Sequence, residues 1–252
     1  MPLPRATLEA LLRTRRLDRT LTSAVVTPDP HDDGAIAATD VTTLDAHLGG
    51  GFPRGQLSEL AGPRSSGRSS LLLQLIAAAT RRGELVALVD ALDMLDVESA
   101  ATAGIDLTRL LWIRGHVTLH AGLSRDLNQR AMEQAIRACA LVLQAGNFGL
   151  VVFDVAEAPT DAIRHLPFTT WLRLQRMVEG TQTACLLVGS EPMARSSAGL
   201  TIRLGHDRVR GPSGEPRFGS TLFAGLDFDA RVLRARARRE DDVRLALSTV
   251  AR

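Results

Sequence analysis

Gly62-Pro63-Arg64-Ser65-Ser66-Gly67-Arg68-Ser69-Ser70 carries the frame of a phosphate loop, G-x-x-x-x-G-K-[ST], with arginine in the lysine position. Two glycines at this spacing let backbone N–H groups close around phosphate oxygens at the start of a helix, and Ser69 keeps a hydroxyl for Mg²⁺. A lysine there is a compact point charge that reaches the β- and γ-phosphates. A guanidinium is larger, planar and less tightly hydrated, so the exchange is not conservative. Asp154 closes the apolar run Leu150-Val151-Val152-Phe153, the pattern of a strand whose terminal carboxylate helps to hold the Mg²⁺ shell. A capping or loop-binding aspartate fits that pattern equally well. Asp90 and Asp93 end a second apolar run and are of the type that orients an attacking water, although ordinary polar residues at a sheet end explain them better. Together these groups would serve phosphoryl transfer from a nucleotide.

That chemistry needs the loop to stand between a strand and a helix. Leu57 to Ala61 is an apolar strand running into the loop, and Leu71-Leu72-Leu73-Gln74-Leu75-Ile76 begins a helix directly after it. Four more apolar runs follow: Leu85 to Asp90, Leu110 to Arg114, Leu150 to Asp154 and Cys185 to Gly189. Helical patterns at Ser70 to Arg82 and Asp126 to Gln144 lie between them as crossovers. Short, nearly continuous apolar runs fit strands buried on both faces, which predicts a doubly wound, mostly parallel α/β sheet. The last third changes style. Ile202 to Leu204 and Leu222 to Arg236 read as antiparallel strands separated by a Gly/Pro loop at 211–216. Upstream, Leu8, Leu11 and Leu12 form the apolar stripe of a short helix, Leu21 to Val26 reads as a strand, and 27–34 as a linker. The expected organisation is an N-terminal arm and linker at 1–40, a core at 41–240 and a C-terminal tail at 241–252.

Hydrophobic residues make up 45% of the chain, enough for a sizeable core. All 30 basic residues are arginine, a bias that GC-rich codon usage explains without removing the demand for lysine in an active phosphate loop. The net charge of +2 excludes a global field drawing the protein onto nucleic acid. Basic surface must therefore be local. In Arg231 to Arg239 the alternation sets Arg234, Arg236 and Arg238 on one strand face, suited to an acidic protein partner and only secondarily to DNA. Charge protection of an edge strand is a plainer reading than DNA binding, but not than a protein partner. Arg164, His165, Phe168, Trp171, Arg173 and Arg176 form a second basic and aromatic cluster, but the aromatics fall at the spacing of a core helix. Cys139 and Cys185 sit in apolar runs and read as buried thiols of a cytosolic protein. With no signal peptide and no bilayer-long apolar stretch, a cytoplasmic protein without a membrane partner or a resident metal is expected.

Val41-Thr42-Thr43-Leu44-Asp45-Ala46-His47-Leu48-Gly49-Gly50-Gly51-Phe52-Pro53-Arg54-Gly55 resembles the segment leading into the phosphate loop of RecA recombinases. Gly62 to Ser70 is similar to their GPESSGKTT, and Gln74 to Ala79 and Gly104-Ile105-Asp106 extend the likeness. The resemblance implies a RecA-like P-loop core, and an N-terminal arm that docks on a neighbouring protomer. On it, a degenerate nucleotide or anion site comprises Gly62, Ser65, Ser66, Gly67, Arg68, Ser69, Ser70, the adenine-reading Asp96, and Asp154. The departures are concerted: the catalytic glutamate falls on Leu92, the adenine-stacking tyrosine on Ser99 and the γ-phosphate sensor on Ser190. The first DNA loop is compressed between Glu157 and Thr170, and the second shrinks to about Glu191 to Ala198. A lysine-free, RecA-like chain with these losses resembles the ImuA family. That resemblance implies no catalytic residue and no resident cofactor, with at most weak ATP–Mg²⁺ or a bound phosphate or sulfate. The implied role is accessory to damage-inducible translesion synthesis, beside an ImuB-like inactive Y-family polymerase homologue and an error-prone C-family DNA polymerase; the alternatives are an ATP-binding RecA-fold regulator or a DNA-binding recombination mediator, with weak or no hydrolysis. RecA and a second copy are further candidate partners, with weak or indirect DNA contact. Leu8, Leu11 and Leu12, and Arg234, Arg236 and Arg238, are the candidate partner surfaces.

Overall fold

The computed structural model describes residues 36–116, 125–195, 198–205, 225–235 and 243–250. The arm leucines Leu8, Leu11 and Leu12, the strand expected at Leu21 to Val26, and Arg236 and Arg238 lie outside them.

A small ladder opens the described core. Strand β1 (Ile36–Ala37) pairs antiparallel with β2 (Phe52–Pro53), and helix α1 (Thr42–Leu48) lies between them in sequence. The described core thus starts before Val41. Gly51 has to be glycine: its φ is +144°, and a Cβ there would sit 2.1 Å from the Ala37 carbonyl oxygen.

The other described strands form one sheet: β3 (Leu57–Ala61), β4 (Val86–Asp90), β5 (Leu110–Arg114), β6 (Leu150–Asp154), β7 (Ala184–Gly189), β8 (Leu200–Leu204), β9 (Gly225–Ala235) and β10 (Val243–Val250). Their order is β10-β9-β8-β3-β7-β6-β4-β5. Pairing is parallel from β8 through to β5, while β9 is antiparallel to both β8 and β10. The doubly wound, mostly parallel architecture with antiparallel C-terminal strands is therefore present.

Two readings of the last third need correcting. The run at Ile202 to Leu204 belongs to β8, which is parallel to β3 and antiparallel only to β9. Part of the segment read as a tail, Val243–Val250, is the outermost strand. Its residues, Val-Arg-Leu-Ala-Leu-Ser-Thr-Val, form neither a continuous apolar run nor a strict alternation, so they do not separate an edge strand from a polar end.

Strand alternation fills both faces. Leu60, Val86, Leu88, Val152, Leu186 and Ile202 pack on the side of helix α2 (Arg68–Arg81), and helix α3 (Val97–Thr102) contributes Ala100 to that cluster. Leu57, Ala87, Val89, Val151, Phe153 and Leu187 face helices α4 (Arg125–Ala145) and α6 (Phe168–Val178). A short helix, α5 (Thr160–Arg164), precedes α6. Trp171 is buried with its ring centroid 6.5 Å from that of Phe153, and Phe168 packs at the edge of the same cluster. The aromatics in this cluster serve the core, as their spacing suggests. Cys139 of α4 and Cys185 of β7 are buried on this face. The Cys185 S–H donates to the Cys139 sulfur, and this bond together with burial pushes the Cys185 pKa well up.

Candidate functional site: a phosphate loop latched by its own side chains

In a parallel sheet the carboxyl ends of the strands share one edge, where ligand crevices form. Here that edge carries the loop after β3, Asp90 at the end of β4 and Asp154 at the end of β6. A cleft of about 660 Å³ opens there. Arg64, Ser65, Gly67, Arg68, Ser69, Ser70, Asp96 and Asp154 line it, so the sequence candidates are brought together apart from Gly62 and Ser66, which lie behind in the buried floor.

The loop's backbone has the shape its motif demands. Ser65 (φ 60°) and Gly67 (φ 82°) both take left-handed conformations before α2 begins at Arg68. Gly62 is held between strands, its N–H donating to the Gly189 carbonyl at 3.1 Å. A Cβ on Gly62 would stand 2.6 Å from Ser66 Oγ, so no larger residue fits without moving the loop. Ser69 and Ser70 are exposed to the cleft.

The side chains tell a different story. Arg68 is only 5% exposed. Its Nη1 donates to the Gly62 carbonyl and, at 3.5 Å, to that of Gly189, while Nη2 meets Glu157 Oε1 at 2.6 Å. The other Glu157 oxygen takes the Nε of Arg64 at 2.6 Å. One carboxylate thus bridges both arginines of the loop. Sequence reading treats Glu157 only as the boundary of a shortened loop. Its one signal is that it stands three residues past the carboxylate-terminated strand, which faces the loop at this edge.

The other carboxylates are engaged as well. Asp90 is buried, and its Oδ2 accepts from Leu95 N at 2.8 Å and Trp112 Nε1 at 3.2 Å. Asp93 makes a two-pronged pair with Arg114, both contacts 2.6 Å, which lowers its pKa. Asp90 and Asp93 therefore tie β4 to β5, in line with their reading as ordinary polar residues at the sheet end. Asp96 caps α3, its carboxylate accepting from Ser99 N at 2.9 Å, and its hydrogen bonds with Ser99 lower its pKa. Asp154 pairs in register with Asp90 across β6 and β4 and accepts from Ala156 N at 2.9 Å. Desolvation, with a further push from Asp90, raises its pKa to about 6. Leu92 lines the cleft where the resemblance places a catalytic glutamate, and a leucine has no proton acceptor. The loop's backbone fits a phosphate. Its cations, Asp96 and the residue at 92 do not fit a nucleotide with Mg²⁺ as the family pattern would hold it.

Buried Glu59, also missed from sequence, secures the neighbouring loop. It accepts from Met193 N at 2.7 Å, Ala194 N at 2.6 Å and Thr201 Oγ1 at 3.1 Å. Of the expected arginine row, Arg234 lies among the described residues. A bulge at Leu233 shifts the β8–β9 register between Thr201 and Ile202, so Arg231 and Arg234 share a face, opposite Arg203 and Thr201. Arg244 stands opposite Arg231 on β10, so three arginine positions run across the strands. Arg234 Nη1 donates to the Arg195 carbonyl at 2.7 Å. Among the described residues, no group of three or more His, Cys, Asp or Glu side chains could hold a metal ion, and no helix is long and apolar enough to cross a membrane.

A parallel sheet with a phosphate loop at the carboxyl end of β3 defines a P-loop protein of the recombinase fold. The sequence pattern of the RecA N-terminal domain matches residues 29–161, over half of the chain, which belongs to that family. Protein RecA of Synechococcus sp. is 47% identical over 74 residues, 29% of this chain and 19% of that protein. Protein RecA of Streptomyces avermitilis is 35% identical over 130 residues, 51% of this chain and 31% of its own length. The chain thus spans between about a fifth and a third of the length of the curated relatives it matches. The crystal structure of the RadB recombinase superposes with a TM-score of 0.58 at 18% identity, covering 84% of this chain and 94% of that one, a likeness of fold.

Proposed function

We propose that this RecA-family chain is a non-catalytic adaptor in damage-inducible, error-prone translesion DNA synthesis, of the kind its likeness to the ImuA family implies. The observation that carries this reading is the inward turn of Arg68. The side chain that would meet a nucleotide's terminal phosphates is held by two carbonyls and Glu157. Leu92 and Ser99 support it, one lacking a proton acceptor and the other a stacking ring. A chain with this fold and no working nucleotide site acts through its surfaces. Candidate partners are an ImuB-like inactive polymerase homologue, a C-family DNA polymerase, RecA and a second copy. The arm with Leu8, Leu11 and Leu12 offers one surface. The arginine face of β8 to β10 offers another, suited to an acidic partner.

A second reading, a RecA-fold regulator that binds ATP weakly without hydrolysing it, is favoured by the left-handed loop backbone and the exposed Ser69 hydroxyl. Phosphate release with and without single-stranded DNA, run beside capture of an ImuB-like protein, separates the readings. The adaptor predicts no turnover above background and partner capture that needs no nucleotide. Turnover that vanishes in Asp154→Asn overturns both. Capture that needs ATP selects the regulator.

A further inference from the structure

We propose that Glu157 is an internal counter-ion that latches the phosphate loop shut and sets what it accepts. Removing its charge should expose an oxyanion site built on Arg64 and Arg68. The inference rests on the geometry of the loop and stands whether or not the protein is an adaptor.

The latch has three attachments. Arg68 ties the first residue of the loop, through the Gly62 carbonyl, to the end of β7, through the Gly189 carbonyl, and to Glu157 in the loop after β6. A planar guanidinium spreads its donors over separate nitrogens and so serves acceptors on both sides of the group, where an ammonium's three donors radiate from one atom. Arg64, 73% exposed, lies on the solvent side of the same carboxylate. Glu157 therefore neutralises one arginine in the floor of the cleft and another at its mouth. Around them Asp90, Asp96 and Asp154 supply further negative charge. A phosphate entering the loop must displace Glu157 from both guanidinium groups and then sit beside the freed carboxylate. Either step disfavours an anion strongly in a partly desolvated cleft.

A merely structural ion pair would leave a different mark. Removing one partner would lower stability without creating affinity for anything. The test therefore reads binding. Calorimetric titration of inorganic pyrophosphate into the wild-type chain, Glu157→Gln, Arg64→Ala and the double variant Glu157→Gln/Arg68→Ala decides it, with melting curves on each. Glu157→Gln should bind pyrophosphate at least about tenfold more tightly than wild type. The double variant should lose that gain, and Arg64→Ala, which keeps the Arg68–Glu157 pair, should bind no better than wild type. A folded Glu157→Gln protein that binds no more tightly than wild type overturns the proposal. So does a gain that survives loss of Arg68. If Glu157→Gln does not fold, Glu157→Ala, which also removes the charge, is read by the same criterion. Partner capture by Glu157→Gln keeps the two readings apart, since Arg64, Arg68 and Glu157 are not among the proposed partner-binding residues.

Discussion

At position 68 the difference between arginine and lysine is one of reach. The guanidinium spans Gly62, Gly189 and Glu157, so Arg68→Lys should lose one or two of those contacts and cost about 1 kcal/mol in a denaturant melt. It should also leave ATP turnover at background in a phosphate-release assay, because Leu92 still offers no proton acceptor. Asp154 gives a pH signature. Its carboxyl is raised to about 6 from an ordinary value near 3.8, mainly by desolvation. The folded state therefore binds its proton more tightly than the unfolded chain, and stability from this group falls as pH rises through that window. Asp154→Asn keeps the acceptor for Ala156 N without the charge, so its advantage in Tm over wild type should grow between pH 4 and pH 6.5 and then level off. The frame of the loop was legible because a motif fixes residue types at fixed offsets. The latch was not, since Glu157 and Gly189 lie 89 and 121 residues from Arg68 and no local spacing connects them.

Among elements, β6 falls where its apolar run places it, because a strand buried on both faces must be apolar almost throughout. β3 and β5 stand at their expected positions too, although β3 buries Ser58 and Glu59 and β5 is only partly buried. Beyond β7 the strands lose that signature. In β8 and β9 the faces differ, and an extra residue at Leu233 offsets the count, so that Arg231 shares a face with Arg234 where plain alternation would separate them. Glu59 belongs to this scale too, since one buried carboxylate joins β3, β8 and the loop after β7. Glu59→Ala would strand two backbone N–H groups and the Thr201 hydroxyl without a partner. The expected loss is about 3 kcal/mol in urea unfolding, well above that of an exposed substitution such as Glu179→Ala.

At the scale of the molecule, the two ends of the sheet are unlike. On one side β5 joins the sheet by parallel pairing, tied further to β4 through Asp90–Trp112 and Asp93–Arg114. On the other, β10 covers β9 over eight paired positions. A chain ending at residue 240 should therefore melt at least about 5 °C lower than the full chain and aggregate through the uncovered β9, whereas trimming a true tail would change neither. The two thiols give this molecule a gauge of its own integrity. Cys139 and Cys185 are its only cysteines, and they meet where α4 covers the middle of the sheet. A maleimide cannot reach either sulfur until helix and sheet separate, so alkylation in native buffer counts global openings rather than local fraying. The unmodified protein can thus report, by mass alone, how often its whole core comes apart.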